Sequence, residues 1–278
     1  MMMREPQPES RGRVSLPMYN LPEMQAVNAA FWDAIRRELQ RQGIKSLPAS
    51  LDFARRPVPE RIERDTLLTQ VCGYPLQTIY QGQAALLGAP VYGAEHCVGP
   101  THTGVFVVHR ESAFAQLADL RGCNFVYNSR HSNSGMNLPR RAIAEIVEGE
   151  RFFGSIVETH SQPGNIERVA RREADATCVD SVTYAFFCRH HPQLGELTRV
   201  LAATPPSPSI PFVTSVETPV PLQDALRNAL RNVARSDEWS EVRSGLMLQD
   251  IVPIEMASYG VQLQYEREAR ASGYSELK

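Results

Sequence analysis

The sequence predicts an α/β protein of two lobes, each a mainly parallel sheet flanked by helices, with two hinge crossings between them. Three observations carry this. Short apolar runs alternate with helical patterns in the order β-α-β from residue 14 to residue 92, the signature of a sheet covered by helices. A second α/β block follows, of about 100 residues, the size of a typical domain. A proline-rich stretch, Pro205-Pro206-Ser207-Pro208-Ser209-Ile210-Pro211, then forbids a helix and favours an extended crossing strand. The helical tail beyond it has too little strand to stand alone and is expected to complete the first lobe. The expected division is residues 12–105 plus 206–278 for lobe 1 and 106–205 for lobe 2, with crossings near Val105–Arg110 and Ala203–Phe212. Residues 1–11 form a polar N-terminal extension.

In chain order, Val14–Tyr19 reads as a first strand. Glu23–Gln42 reads as a helix, because Met24, Val27, Phe31, Ile35 and Leu39 fall three and four apart on one face and Gly43 follows. Leu51-Asp52-Phe53 reads as a short strand beside Pro57 and Pro59, Thr66–Cys72 as a longer one. A short helix is expected over Leu76–Gln83 and a strand over Ala89–Tyr92. Gly104–Arg110 is the clearest strand of the sequence. In the second block, strands are expected over Asn124–Tyr127, Gly154–His160, Ala174–Val179 and Leu197–Ala202. They alternate with helices over Arg140–Val147, Gly164–Arg172 and Val182–Arg189. Ile210–Thr214 and helices over Leu222–Arg235, around Trp239 and over Pro253–Arg270 complete the chain.

Composition narrows the function. Among 278 residues, 42% are apolar and 22% charged, and the net charge is −2. A basic footprint for nucleic acid is missing. No run of about 18 or more apolar residues suggests membrane insertion. The first ten residues are polar, with two prolines and no apolar h-region. A cytoplasmic location is therefore expected for the sequence as given, and a periplasmic one if a signal has been removed. Five cysteines without a CxxC pair suit reduced thiols.

The richest stretch is Tyr127-Asn128-Ser129-Arg130-His131-Ser132-Asn133-Ser134-Gly135-Met136-Asn137-Leu138-Pro139. It joins a strand to a helix start through small hydroxyl and amide residues. A helix start leaves backbone N–H groups unpaired and carries partial positive charge. Ser132, Asn133 and Ser134 add donors, and Gly135 permits close approach to the backbone. These parts suit an anionic oxygen group such as a phosphate, phosphonate, sulfonate or carboxylate. Ser132 or Ser134 equally suits plain N-capping.

The combination Asp119-Leu120-Arg121-Gly122, then Ser132–Pro139, then Ala174-Asp175-Ala176 with Asp180-Ser181-Val182-Thr183-Tyr184, resembles the phosphate/phosphite/phosphonate-binding family of periplasmic binding proteins. These are the substrate-binding components of ABC transporters. Cys72-Gly73-Tyr74-Pro75 and Pro208–Thr214 are similar to segments of its PhnD-like subgroup. The resemblance runs from Val14 to Tyr259. It implies a type II periplasmic-binding-protein fold with a hinged cleft, ligand oxygens held at the Ser-x-Ser-Gly helix start, and Asp180 at the cleft, receiving an amino or hydroxyl group. It also implies Tyr19 and Tyr74 at strand ends facing the cleft, an ABC permease as partner, and no cofactor. The family turn often carries Thr where this chain has Asn133, and the family is normally exported.

Other chemistry remains open at this stage. Glu95-His96-Cys97 with Thr101-His102-Thr103 matches no standard zinc spacing; it reads as a polar loop beside the cleft, where Thr101 or Thr103 donates to a ligand. His160 follows a second-lobe strand and either faces the cleft or lies on the surface. Asp180 reads as an N-cap or as a ligand contact. An enzyme or a cytoplasmic sensor on the same fold is the alternative, acting on a small carboxylate or phosphorylated metabolite. His160, Asp180, His102 and Cys72 are its available acids and bases. The expected mode is closure of the lobes on a bridging anion, held by Ser132–Gly135 on one side and by Tyr19 and Cys72-Gly73-Tyr74 on the other.

Overall fold

The computed structural model describes residues 12–54, 62–149 and 151–278; the N-terminal extension lies outside them. The elements in order are β1 (Arg13–Val14), α1 (Gln25–Arg41), β2 (Thr66–Gln70), α2 (Gly73–Thr78), β3 (Ala84–Tyr92), β4 (Thr101–His102), β5 (Gly104–His109) and β6 (Asn124–Tyr127). A turn of π-helix over Asn133–Asn137 runs directly into α3 (Leu138–Ala144). Then come β7 (Ser155–Glu158), α4 (Gln162–Ala170), β8 (Ala176–Asp180), α5 (Ser181–His190), α6 (Pro192–Gly195), β9 (Thr198–Ala203), β10 (Ser207–Pro208) and β11 (Phe212–Ser215). The chain closes with α7 (Val220–Arg235), α8 (Ser240–Gly245), β12 (Leu248–Val252) and α9 (Gly260–Ala271).

Two five-stranded sheets form the lobes, in the orders β1-β2-β11-β3-β12 and β7-β6-β8-β5-β9. The two-lobed α/β architecture is as expected, but the sheets are mixed where mainly parallel ones were expected. In the first, only β1 and β2 run parallel; β11 returns from the second lobe and inserts antiparallel between β2 and β3, and β12 pairs antiparallel with β3. In the second, β7, β6 and β8 are parallel, and β5 lies antiparallel between β8 and β9. The alternation of strands and helices along the chain does not record the direction in which a returning strand is inserted.

The crossings also differ from expectation. Strand β5 lies wholly inside the second sheet; the lobes are joined just before it and after β9, where β4 and β10 pair as an antiparallel ribbon. The tail passes over once more. Helix α9 packs on both α2 and α3, and Ala269 and Tyr274 are buried in one cluster with Phe106 and Phe125. Helix α9 thus touches both lobes, and the tail from Ala269 onward is buried with the second sheet.

Each core follows from side-chain period. On α1, Phe31, Ile35 and Leu39 face Leu226, Leu230 and Val233 of α7 across the first lobe, and Gly43 ends α1 at φ +88°. All six residues of β5 are buried. Alternation sends Phe106 and Val108 to one face of the second sheet and Val105 and Val107 to the other. Val182 and Phe186 of α5 pack into the first lobe's core, so the lobes also meet through an apolar contact. Smaller local expectations shift: α2 starts at Gly73, ahead of the expected Leu76, and Val14–Tyr19 and Leu51–Phe53 reduce to β1 and a single bridge between Ser15 and Asp52.

Candidate functional site

Three helix starts of the second lobe converge on the space between the lobes. After β6 the chain turns through Asn128 and Ser129 to Ser132, whose Oγ accepts from Gly135 N at 2.9 Å. Ser161 caps α4 in the same manner, accepting from Gly164 N at 3.1 Å. Asp180 caps α5, its Oδ1 accepting from Val182 N at 2.9 Å and Thr183 N at 3.1 Å. Gln162 ties the three together. Its Nε2 donates to Ser134 Oγ at 3.0 Å, and its Oε1 accepts from Asp180 N at 2.9 Å. The π-turn itself is a local irregularity of a kind that concentrates at functional sites.

Asp180 joins the lobes. It is 1% exposed, yet Tyr19 of the first lobe donates its hydroxyl to Oδ1 at 3.2 Å. His102 Nδ1, from the β4 ribbon and equally buried, lies against Oδ2. A buried carboxylate needs such partners. Burial, then the neighbouring Asp180, holds the Tyr19 hydroxyl well above the ordinary phenol range, so it stays a donor.

The cleft holds about 230 Å³, enough for a small organic solute. Its first-lobe wall is Pro17–Leu21 with Cys72 and Pro75; its second-lobe wall carries Asn128, Ser129, Ser134, Gln162 and Thr183. No Lys or Arg lines it among the described residues. Asn20 and Asn128 line it, and their amide oxygens are buried without a hydrogen-bond partner. Burial pushes the Cys72 thiol up to about 11 against the opposing pull of Asn133 N–H, so it is a neutral group and a poor nucleophile at neutral pH.

Of the residues singled out in the sequence, Tyr19, Cys72, Ser132, Ser134, His160 and Asp180 line the cleft. His160 stands at its mouth with its ring 79% exposed and φ +64°. The other six point into contacts of their own. Asn133 is fully buried, donating to Ser207 Oγ at 2.9 Å and accepting from Asn137 at 3.1 Å. Its backbone N–H reaches Cys72 Sγ at 3.4 Å. A Cβ at Gly135 would sit 2.0 Å from Asn128 Oδ1; the close approach that this glycine allows is that of Asn128. A Cβ at Gly73 would strike the Gln262 amide at 2.3 Å. Tyr74 is buried beside Glu266 and Arg140, away from the cleft. Thr101 and Thr103 donate to backbone oxygens of Val98, at 2.8 Å, and of His96, at 3.5 Å.

Sequence reasoning missed Asn20, Asn128, Ser129, Ser161, Gln162 and Thr183. A signal existed for Ser161: followed by Pro163 and Gly164 ahead of an apolar helical pattern, it marks a capped helix start. Ser132→Ala is expected to cost about 1 kcal/mol of stability, as loss of an N-cap does, because its Oγ accepts from Gly135 N. A urea titration with ligand binding measured in parallel checks this; an intact midpoint with lost affinity would reverse the assignment.

A cleft between two mixed α/β sheets, joined by a short ribbon and walled by helix starts, defines a solute-binding protein of the type II periplasmic class. Residues 76–259 match the family model described as "ABC transporter, phosphonate, periplasmic substrate-binding protein". The match spans more than half of the chain, and the chain belongs to this family of transport components, which are not enzymes. Similar solved structures include a binding component of an ABC phosphonate transporter, PA3383 from Pseudomonas aeruginosa. It is 12% identical with a TM-score of 0.73, covering 95% of this chain and 88% of its own. PhnD1 from Prochlorococcus marinus, in complex with methylphosphonate, is 15% identical with a TM-score of 0.68, covering 94% and 98%. XAC2383 from Xanthomonas citri, bound to ATP, is 15% identical with a TM-score of 0.68, covering 95% and 98%. At these identities the likenesses establish the fold. A search of curated proteins finds no significant match. No described helix is long and apolar enough to cross a membrane.

Proposed function

We propose that the protein binds a phosphonate-type oxyanion in this cleft and presents it to an ABC permease on the periplasmic side. The observation that carries the reading is the convergence of the Ser132, Ser161 and Asp180 helix starts on one cleft, with Gln162 bonded between two of them. In this reading Ser134, Asn128 and Ser129 hold the anion on the second-lobe wall, and Asn20 reaches it from the first. The methylphosphonate complex of PhnD1 supports the ligand class. The lobes are, in the same reading, residues 12–100 with 209–259 on one side and 104–203 with the tail from 269 on the other, closing about the β4–β10 ribbon. Cleft closure needs a ligand that touches both walls.

A thermal-shift panel of phosphate, methylphosphonate, methanesulfonate, acetate and ATP tests the ligand class. A ligand at a hundred times its Kd adds about 2.7 kcal/mol of stability, and methylphosphonate is the expected hit. Stabilisation by acetate or ATP alone would sink the phosphonate reading. Asn128→Ala and Ser134→Ala are each expected to weaken binding about 10- to 100-fold, the loss of one hydrogen bond to a charged group. Calorimetry measures this, and unchanged affinity in both variants would place the anion elsewhere.

A further inference from the structure

The two walls of the cleft differ in chemistry. The second-lobe wall carries Asn128, Ser129, Ser134, Gln162 and Thr183, all amides and hydroxyls. The first-lobe wall carries carbon: Pro17 and Met18 from the turn after β1, Leu21, Pro75 of α2, and Ile210 ahead of β11. Pro17 is exposed and Met18 half-buried, so this carbon is within reach of a solute. Asn20 stands beside them, and two further polar groups of that wall are turned across to the second lobe. The Tyr19 hydroxyl donates to Asp180 Oδ1 at 3.2 Å, and Cys72 Sγ accepts from Asn133 N at 3.4 Å.

The second observation concerns Asp180, whose oxygens are both in use. Oδ1 accepts from Tyr19, Val182 N and Thr183 N, Oδ2 lies against His102 Nδ1, and the residue is 1% exposed. A ligand ammonium would have to displace those contacts and give up its own hydration. An alkyl group, in contrast, gains by leaving water for the carbon of the first-lobe wall. Closure needs a ligand that touches both walls, and walls of unlike chemistry call for a ligand with two unlike ends. We infer that the cleft is built for an alkylphosphonate, its phosphonate on the second-lobe wall and its alkyl chain against Pro17, Met18 and Pro75, in preference to inorganic phosphate or an aminoalkylphosphonate. For the head group this rests on the phosphonate reading above. Met18 is the specificity residue, because an unbranched thioether adapts to chains of different length.

The test is calorimetry at one pH with phosphate, methyl-, ethyl- and propylphosphonate, and 2-aminoethylphosphonate. The last two differ in a terminal methyl against an ammonium group. Affinity is expected to rise about fourfold for each CH2 taken out of water. 2-Aminoethylphosphonate is expected to bind at least about tenfold more weakly than propylphosphonate. A flat or falling alkyl series overturns the inference, as does tightest binding by 2-aminoethylphosphonate, which would return Asp180 to a ligand amine. Met18→Gln keeps the length of the side chain and makes its end polar. In that variant the gain is expected to drop below about twofold for each CH2; a gain that survives unchanged overturns the placement of the chain on the first-lobe wall. Failure of every phosphonate to bind sinks the phosphonate reading and the inference with it, whereas a flat series among phosphonates that do bind leaves that reading standing.

Discussion

Asp180→Ala is expected to lower stability by about 2–5 kcal/mol, the combined loss of an N-cap and of a buried hydrogen bond to a charged group. Four groups lose their partner at once: the N–H groups of Val182 and Thr183, the Tyr19 hydroxyl and His102. Two of these belong to other parts of the molecule, so the loss falls on the α5 cap, on the contact between lobes and on the ribbon together. Asp180→Asn keeps one oxygen for the cap and for Tyr19 and replaces the charged oxygen beside His102 with an NH2 group, so its cost is smaller. Urea midpoints of the two variants give the comparison. An alanine variant as stable as the parent would show that the three contacts do not act as one anchor. The pair also separates two roles. As a wall residue, Asp180 leaves affinity nearly intact in the asparagine variant once the protein is folded. As the acceptor of a ligand amine, implied by the family resemblance, it would lose affinity while stability was retained.

Phe125→Ala is the second large effect, expected at about 3–5 kcal/mol. The ring is fully buried, stacks on Phe153 with centroids 4.3 Å apart and leans on Phe106 at 6.4 Å. It sits on β6, and β6 delivers Asn128 and the Ser132 turn to the cleft. Removing it opens a cavity under the strand that supports the proposed anion wall. Phe125→Leu fills most of that space and costs less. Thermal and urea unfolding of both variants measure the effect. An alanine variant within about 1 kcal/mol of the parent would show that the neighbouring Phe153 and Phe106 collapse into the gap.

Much of the molecule was legible from residues alone because it rests on local information. The faces of α1 and α7 follow from apolar residues three and four apart, and the burial of β5 from its run of apolar residues. The strand, polar turn and helix of 124–144 lie where the pattern put them, and Asp180 caps α5 as a helix-start residue should. The family was legible too, through short motifs at these same turns.

The tertiary structure decided what those turns present to the cleft. Within one stretch, Ser134 faces it while Asn133 is turned to Ser207 and Asn137, and Gly135 makes room for Asn128. Gln162 meets Ser134 across 28 residues of sequence, and Tyr19 meets Asp180 across 161. The antiparallel insertion of β11 between β2 and β3 is a choice of the same kind, as is the burial of the tail from Ala269 onward with the second sheet. Caps and helix faces depend on neighbours within a turn or two, which the order of residues records directly. Strand direction, the occupant of a glycine's empty side and the atoms that face a cleft depend on which distant segments pack together, and that was settled only when the whole chain folded.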